Sequence, residues 1–163
     1  MKTVFFTGHR IFKANDETIK NLVAVLIKLI SESATDFYAG GALGWDMLCE
    51  KAVLGLREKF NDIKLHLILP CPFEEQTKFW FIPQIMEYQK ILKAADSVEI
   101  ISKHYEKNCM KKRNERLAEL GDICVCYYDE NKLRSGTGQT VRLAEKQRKE
   151  IINILKSAKM CKK

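Results

Sequence analysis

Val4-Phe5-Phe6-Thr7-Gly8-His9-Arg10 opens the chain with an apolar, strand-like run that ends at a glycine, and the device recurs twice. Gly40-Gly41-Ala42-Leu43-Gly44-Trp45-Asp46 follows a second run, and Ser135-Gly136-Thr137-Gly138-Gln139-Thr140 a third. Each loop leads toward a segment of helical periodicity. In a parallel α/β sheet the C-terminal ends of the strands share one edge, and ligands bind there. Glycine lets backbone N–H groups approach a phosphate closely, and the helix N-terminus that follows adds a favourable dipole. Three such loops on one edge predict a pocket for a phosphorylated small molecule, a nucleotide first of all. The alternative is that the glycines only end strands and start turns.

Outward from these loops, strand and helix alternate. Strands are expected at residues 2–7, 37–39, 64–69, 97–101 and 123–128, with a sixth at 151–155. Helices are expected at 16–33, 46–60, 109–120 and 140–148, and across 75–95, where Pro83 kinks or divides the element. Asn15 or Asp16 supplies an N-cap for the first, and Gly121 ends the helix before the fifth strand as a C-cap. The unbroken apolar run at 123–128 suits a central parallel strand buried on both faces. This order implies right-handed βαβ units in a doubly wound, mostly parallel sheet with helices on both faces. No linker or internal repeat divides the chain, so residues 1–163 are read as one domain, with a core at about 2–155 and a basic tail at 156–163.

At 163 residues, 46% apolar and 30% charged, the chain can bury a core without staples and is not disordered by composition. No run approaches the ~20 apolar residues of a membrane helix, and the apolar start is too short for a signal peptide. A cytoplasmic protein with no membrane partner is expected. The six cysteines (49, 71, 109, 124, 126 and 161) show no zinc spacing and read as reduced, mostly buried thiols. Cys124 and Cys126 are expected to face opposite ways, and Cys71, between two prolines, is a minor redox candidate. The net charge of +7 is uneven: residues 1–102 carry 12 basic and 13 acidic side chains, residues 103–163 carry 16 and 8. That excess suits an anionic partner without identifying it.

Several residues could carry chemistry. Arg10 could clamp a phosphate, and His9 could bond a ribose, transfer a proton, or simply anchor its loop. Asp46 either caps its helix or accepts bonds from a ribose hydroxyl, and Trp45 either stacks on a base or is buried. Glu74, Glu75 and Gln76 are the acid and amide cluster after strand three; Asp46, Glu74 and Glu75 are the candidate general bases. Arg113 shares a helix face with Cys109 and Leu117, which turns it inward, whereas Lys112 and Arg116 read as a solvated face. No His/Cys/Asp cluster asks for a metal; magnesium is expected only alongside a diphosphate ligand. Phe79, Trp80, Phe81 and Ile82 cannot all face one core from a helix, so some meet a partner subunit, as in a homodimer, or cover the pocket.

Thr7-Gly8-His9-Arg10, the loop from Gly40 to Asp46 and Pro72-Phe73-Glu74-Glu75-Gln76 together resemble the YpsA-like branch of the SLOG superfamily. That superfamily joins the DNA-processing protein DprA (Smf) to the Lonely-guy cytokinin-activating hydrolases. The resemblance runs from about Val4 to Leu155 and implies a Rossmann-like domain that binds a nucleotide-derived ligand (phosphoribosyl or ADP-ribose-like) at its glycine loops, as a sensor or regulator. It also implies self-association. The Lonely-guy hydrolases carry a Met-x-x-Arg-Lys helix, then a strand, then a Pro-Gly-Gly-x-Gly-Thr-x-x-Glu loop. Met110-Lys111-Lys112-Arg113-Asn114 matches the first element except for Asn114, and Ser135-Gly136-Thr137-Gly138-Gln139 stands in the place of the last. Val141 and Arg142 occupy the place of the acidic residues on which hydrolysis of the N-glycosidic bond relies, so Arg113 is carried over as a phosphate or ribose contact. Two alternatives remain: a hydrolase of an N-glycosidic or phosphate linkage, and a single-stranded nucleic-acid binder.

Overall fold

A computed structural model of the chain describes residues 1–132 and 134–156. Its six strands are β1 (Lys2–Gly8), β2 (Ala34–Ala39), β3 (Lys64–Leu69), β4 (Ser97–Ile100), β5 (Ile123–Tyr127) and β6 (Glu150–Asn153). They form one sheet in the order β4-β3-β2-β1-β5-β6, and every pairing is parallel. The chain steps outward from β1 to β4, then returns across the sheet to place β5 on the other side of β1. Right-handed crossovers therefore put the helices of the two halves on opposite faces.

Side-chain alternation shows the division. Val4, Phe6, Ile123 and Val125 join the core under α1 (Asp16–Ser31), α2 (Trp45–Leu56) and α4 (Ile82–Ala94). Phe5, Cys124 and Cys126 face the other way, against Leu117 and Ala118 of α5 (Cys109–Leu120) and Val141 and Ala144 of α6 (Gly136–Lys146). With both faces covered, β1 and β5 need continuous apolar runs, and Val4, Phe5, Phe6, Cys124, Val125 and Cys126 are all fully buried. Cys124 and Cys126 thus share a face, contrary to expectation, because residues two apart on a strand point the same way.

Boundaries shifted where pairing or capping overrode local pattern. β2 begins at Ala34, since its polar first residues pair with β1, where Thr3 lies opposite Asp36. β6 starts at Glu150, opposite Ile123, rather than at 151. The expected 75–95 element is divided: a short α3 (Phe73–Gln76) precedes α4, in which Pro83 lies in the first turn, where a missing N–H costs nothing. Asn15 does cap α1, its Oδ1 accepting from the Thr18 N–H at 2.8 Å. Gly121 ends α5 with an extended φ of −98°, not the left-handed one of a glycine C-cap; Phe5 fills the space a side chain would need. Of the basic tail, only Lys156 lies among the described residues, and Cys161 lies outside them.

Candidate functional site

The strand order reverses between β1 and β5, which is where an open α/β sheet leaves a crevice at its C-terminal edge. A cleft of about 300 Å³ occupies that point. Thr7, Gly8, His9 and Arg10 form its floor and one rim, Arg113 and Asn114 of α5 one wall, and Ser135, Gly136 and Thr137 at the start of α6 another. Asp46 and Ala42 close it from the second glycine loop.

Local sequence explains each wall. On α5, Cys109, Arg113 and Leu117 recur at helical spacing and are all buried, so the guanidinium is carried inward with the apolar stripe. The Arg113 Nε donates to Asn114 Oδ1 at 2.7 Å, and its Nη1 donates to the Gly40 carbonyl. Ser135 caps α6, its Oγ accepting from the Gly138 N–H at 2.9 Å, so Gly136 and Thr137 fall in the first helical turn. Backbone N–H groups there have no intrahelical acceptor and carry the positive end of the helix dipole. The helix starts four residues earlier than expected because this cap holds the Gly-Thr-Gly segment in helical geometry.

Beneath the second glycine loop lies a buried polar network. Glu50 is fully buried, and its Oε1 accepts from the Gly41 N–H at 3.1 Å while its Oε2 has no partner. Asp46 Oδ2 accepts from the Ala42 N–H at 3.3 Å. Gln76 Nε2 donates to the Gly41 carbonyl at 2.9 Å and its Oε1 accepts from the Tyr88 hydroxyl at 3.1 Å. Burial pushes the Glu50 carboxyl well above its usual range, with repulsion from Asp46 adding to it. Burial also raises Asp46, but the nearby Arg113 opposes that rise. Burial lowers the Arg113 pKa, Asp46 opposes that shift, and Arg10 repels it further. Two guanidinium groups, Arg10 and Arg113, thus line the cleft with one carboxyl group, that of Asp46.

His9 takes the anchoring alternative. Its Nε2 accepts from the Asp129 N–H at 3.0 Å, which places the proton on Nδ1. Burial, then the positive charge of Lys132, depresses its pKa. Its carbonyl accepts from the Trp45 N–H at 3.2 Å, joining the first two glycine loops.

Of the residues predicted for the site, the cleft gathers Thr7, Gly8, His9, Arg10, Asp46, Arg113, Ser135, Gly136 and Thr137. Gly40, Gly41 and Gly44 shape the loop without lining the cleft. Trp45 is buried with no exposure, packed on Phe12 and Tyr127, so it offers no face to a base. Gly138 serves the α6 cap, Thr140 is buried and donates to the Gly136 carbonyl, and Gln139 faces a separate groove with Lys111 and Glu115. Gln76 is a loop anchor. Glu74 is exposed, and Glu75 is turned away to accept from the Tyr105 N–H and to pair with His104 Nδ1 at 3.0 Å. Among the described residues lining the cleft, Asp46 is the one carboxylate. Val141 is buried in the core beside α5, and the exposed Arg142 brings no carboxylate either. Sequence reasoning missed Glu50, Tyr88, Ala42 and Met110. The α5 periodicity that turned Arg113 inward also carries Met110 to the cleft, whereas nothing local marks Glu50 as buried.

Comparison with known proteins follows the same lines. Residues 4–159 match the YspA SLOG family. An uncharacterized SPbeta prophage-derived protein of Bacillus subtilis, YoqJ, is 35% identical over 138 residues, 77% of this chain and 78% of its own. Among solved structures, DNA processing protein A from Helicobacter pylori superposes with a TM-score of 0.63 at 21% identity, covering 92% of this chain and 63% of that one. The Streptococcus pneumoniae DprA gives 0.65 at 20% identity, covering 92% and 49%. This chain therefore spans about half to two thirds of those DprA chains, and at such identity they share its fold. No helix among the described residues is long and apolar enough to cross a membrane, and no group of three His, Cys, Asp or Glu gathers there to hold a metal. By the match across nearly its whole length and the identity to YoqJ, the chain belongs to the YpsA (YspA SLOG) family.

Proposed function

We propose that the protein binds a nucleotide or nucleotide-derived ligand, of the phosphoribosyl or ADP-ribose kind, in the switch-point cleft and acts as a sensor or regulator. The observation that carries this reading is the convergence of Arg10, the buried Arg113 and the first turn of α6 on one cleft beside Gly8. Backbone N–H groups at a helix start and two guanidinium groups suit a phosphate. Asp46, which closes the cleft from the second glycine loop, suits a ribose hydroxyl. Hydrolysis of an N-glycosidic bond would have to rest on Asp46, whose position beneath Arg113 favours a binding role.

Thermal unfolding against AMP, ADP-ribose, NAD and other nucleoside monophosphates tests the proposal. A ligand at ~100 times its Kd adds roughly 2.7 kcal/mol, a rise of about 5–10 °C for a domain of this size. Arg10 is exposed, so Arg10→Ala leaves the fold intact and is expected to abolish most of that rise. No rise with any of these ligands sinks the proposal.

Single-stranded nucleic acid is a second reading, favoured by the single-stranded DNA binding of the Helicobacter pylori DprA and by the basic residues after 102. Against it, the α5 cations are already engaged: Lys112 with Glu106 at 2.7 Å and Arg116 with Glu99 at 3.0 Å. Retention on oligothymidylate at physiological salt, with no nucleotide response, would reverse the order of the two readings.

A further inference from the structure

Next to the cleft, and sharing Arg10 and Met110 with it as a common wall, lies a larger groove of about 710 Å³. Its other walls carry three aromatic rings, Phe79, Trp80 and Tyr105, together with Lys78. Phe79 is 88% and Tyr105 60% exposed, a costly display of apolar surface beside a polar cleft. We infer that this groove is a nucleobase subsite, which takes the base of the nucleotide whose phosphate is held in the neighbouring cleft. The inference rests on the function proposed above and extends it from phosphate to base.

Three observations support that occupant. The Trp80 ring and the backbone that carries Tyr105 are held in place. Trp80 packs on Tyr88 with ring centroids 5.2 Å apart, and Tyr88 is itself fully buried. Across the groove, Glu75 accepts from the Tyr105 N–H and pairs with His104, fastening residues 102–106 to α3. Glu106 fastens the same segment to α5, accepting from Ser102 Oγ at 2.8 Å and Lys112 Nζ at 2.7 Å. A fixed Trp80 ring and a fastened 102–106 segment reduce the ordering cost when a base stacks there. Charge is complementary as well: Arg10 stands between cleft and groove, and Lys78 Nζ lies 5.5 Å from the Phe79 ring centroid, so cations flank the path from phosphate to base. Size agrees too. The cleft alone sits at the lower end of the range for small-ligand sites, about 300–1,000 Å³, and the groove supplies the remaining room. Glu75, a candidate base in the sequence, acts in this arrangement as a positioning residue for the Tyr105 wall.

Calorimetric titration with AMP and with ribose 5-phosphate, which lacks a base, tests the subsite. Stacking on aromatic rings predicts that AMP binds the wild-type protein about tenfold or more tighter than ribose 5-phosphate. In the Phe79→Ala/Tyr105→Ala double variant that advantage disappears while ribose 5-phosphate affinity is unchanged; both side chains are exposed, so the fold survives. Equal affinity for the two ligands, or an AMP advantage that persists in the variant, overturns the subsite and leaves the phosphate site standing. Failure of both ligands to bind overturns the subsite and the phosphate site together. A double variant that only dissociates a dimer assigns the rings to a subunit interface, and one that only loses oligothymidylate assigns them to a single-strand path; either result overturns the inference.

Discussion

The loop at residues 40–44 and the loop at residues 135–138 look alike in the sequence and part company in the fold at Gly136. In the first, the protein itself fills the space beside the glycines. A Cβ on Gly40 would lie 2.2 Å from Arg113 Nη1, and one on Gly44 would lie 2.2 Å from the Arg10 carbonyl oxygen, at a φ of +79°. In the second, a Cβ on Gly138 would come within 3.1 Å of Arg142 Nη1 and the Tyr128 hydroxyl, whereas one on Gly136 would meet nothing closer than Asn114 Nδ2, at 3.7 Å, and Gly136 is exposed at the mouth of the cleft. Glycine in the first loop is demanded by internal packing and backbone geometry. At Gly136 no atom of the chain demands it, and a side chain there would make only ordinary van der Waals contact.

Gly44→Ala attacks the packed loop where it has least room. A backbone oxygen cannot move aside as a side chain can, and the positive φ adds strain, so a loss of about 3–5 kcal/mol is expected in urea unfolding. A loss below ~1 kcal/mol would show the loop to be more yielding than this contrast requires.

Glu50→Gln sharpens the same side of the comparison. Above the ordinary glutamate value of 4.5 and up to its raised folded value, Glu50 holds a proton that the unfolded chain has released. Wild-type stability therefore falls as pH rises through that window, by up to about 1.4 kcal/mol per pH unit from this group. The amide keeps the acceptor for the Gly41 N–H and cannot titrate, so the variant gains on the wild type as pH rises above the ordinary glutamate value. Parallel pH profiles for the two proteins would mean that Glu50 is ionised in the fold.

The smallest effect on stability is the most telling for function. Gly136→Ala sits in the first turn of α6, where alanine restricts the unfolded chain, and a change between zero and a gain of about 1 kcal/mol is expected. On the proposed function, nucleotide binding read by the same thermal assay is expected to fall tenfold or more, because the added methyl group would narrow the cleft at the first turn of α6. Unchanged binding would make both glycine loops structural and remove the contrast.

How far these properties were legible in the sequence depended on the range of the interactions behind them. Continuous apolar runs at 123–128 and around Val4 marked β5 and β1 as buried on both faces, because neighbouring residues alone carry that pattern. The i, i+4 spacing of Cys109, Arg113 and Leu117 likewise turned Arg113 inward, and the alternation of elements sufficed for a doubly wound sheet. Membership in the YpsA family was readable from the loops themselves. Tertiary structure decided what those loops do. Whether a glycine faces Arg113, the Arg10 backbone or open cleft depends on segments many tens of residues away, as does the burial of Glu50 and Trp45. The edges of β2 and β6 were set by their partners across the sheet, not by their own composition. Local chemistry therefore determined the elements and their order, while packing between distant segments selected which of the candidate residues meet at the cleft.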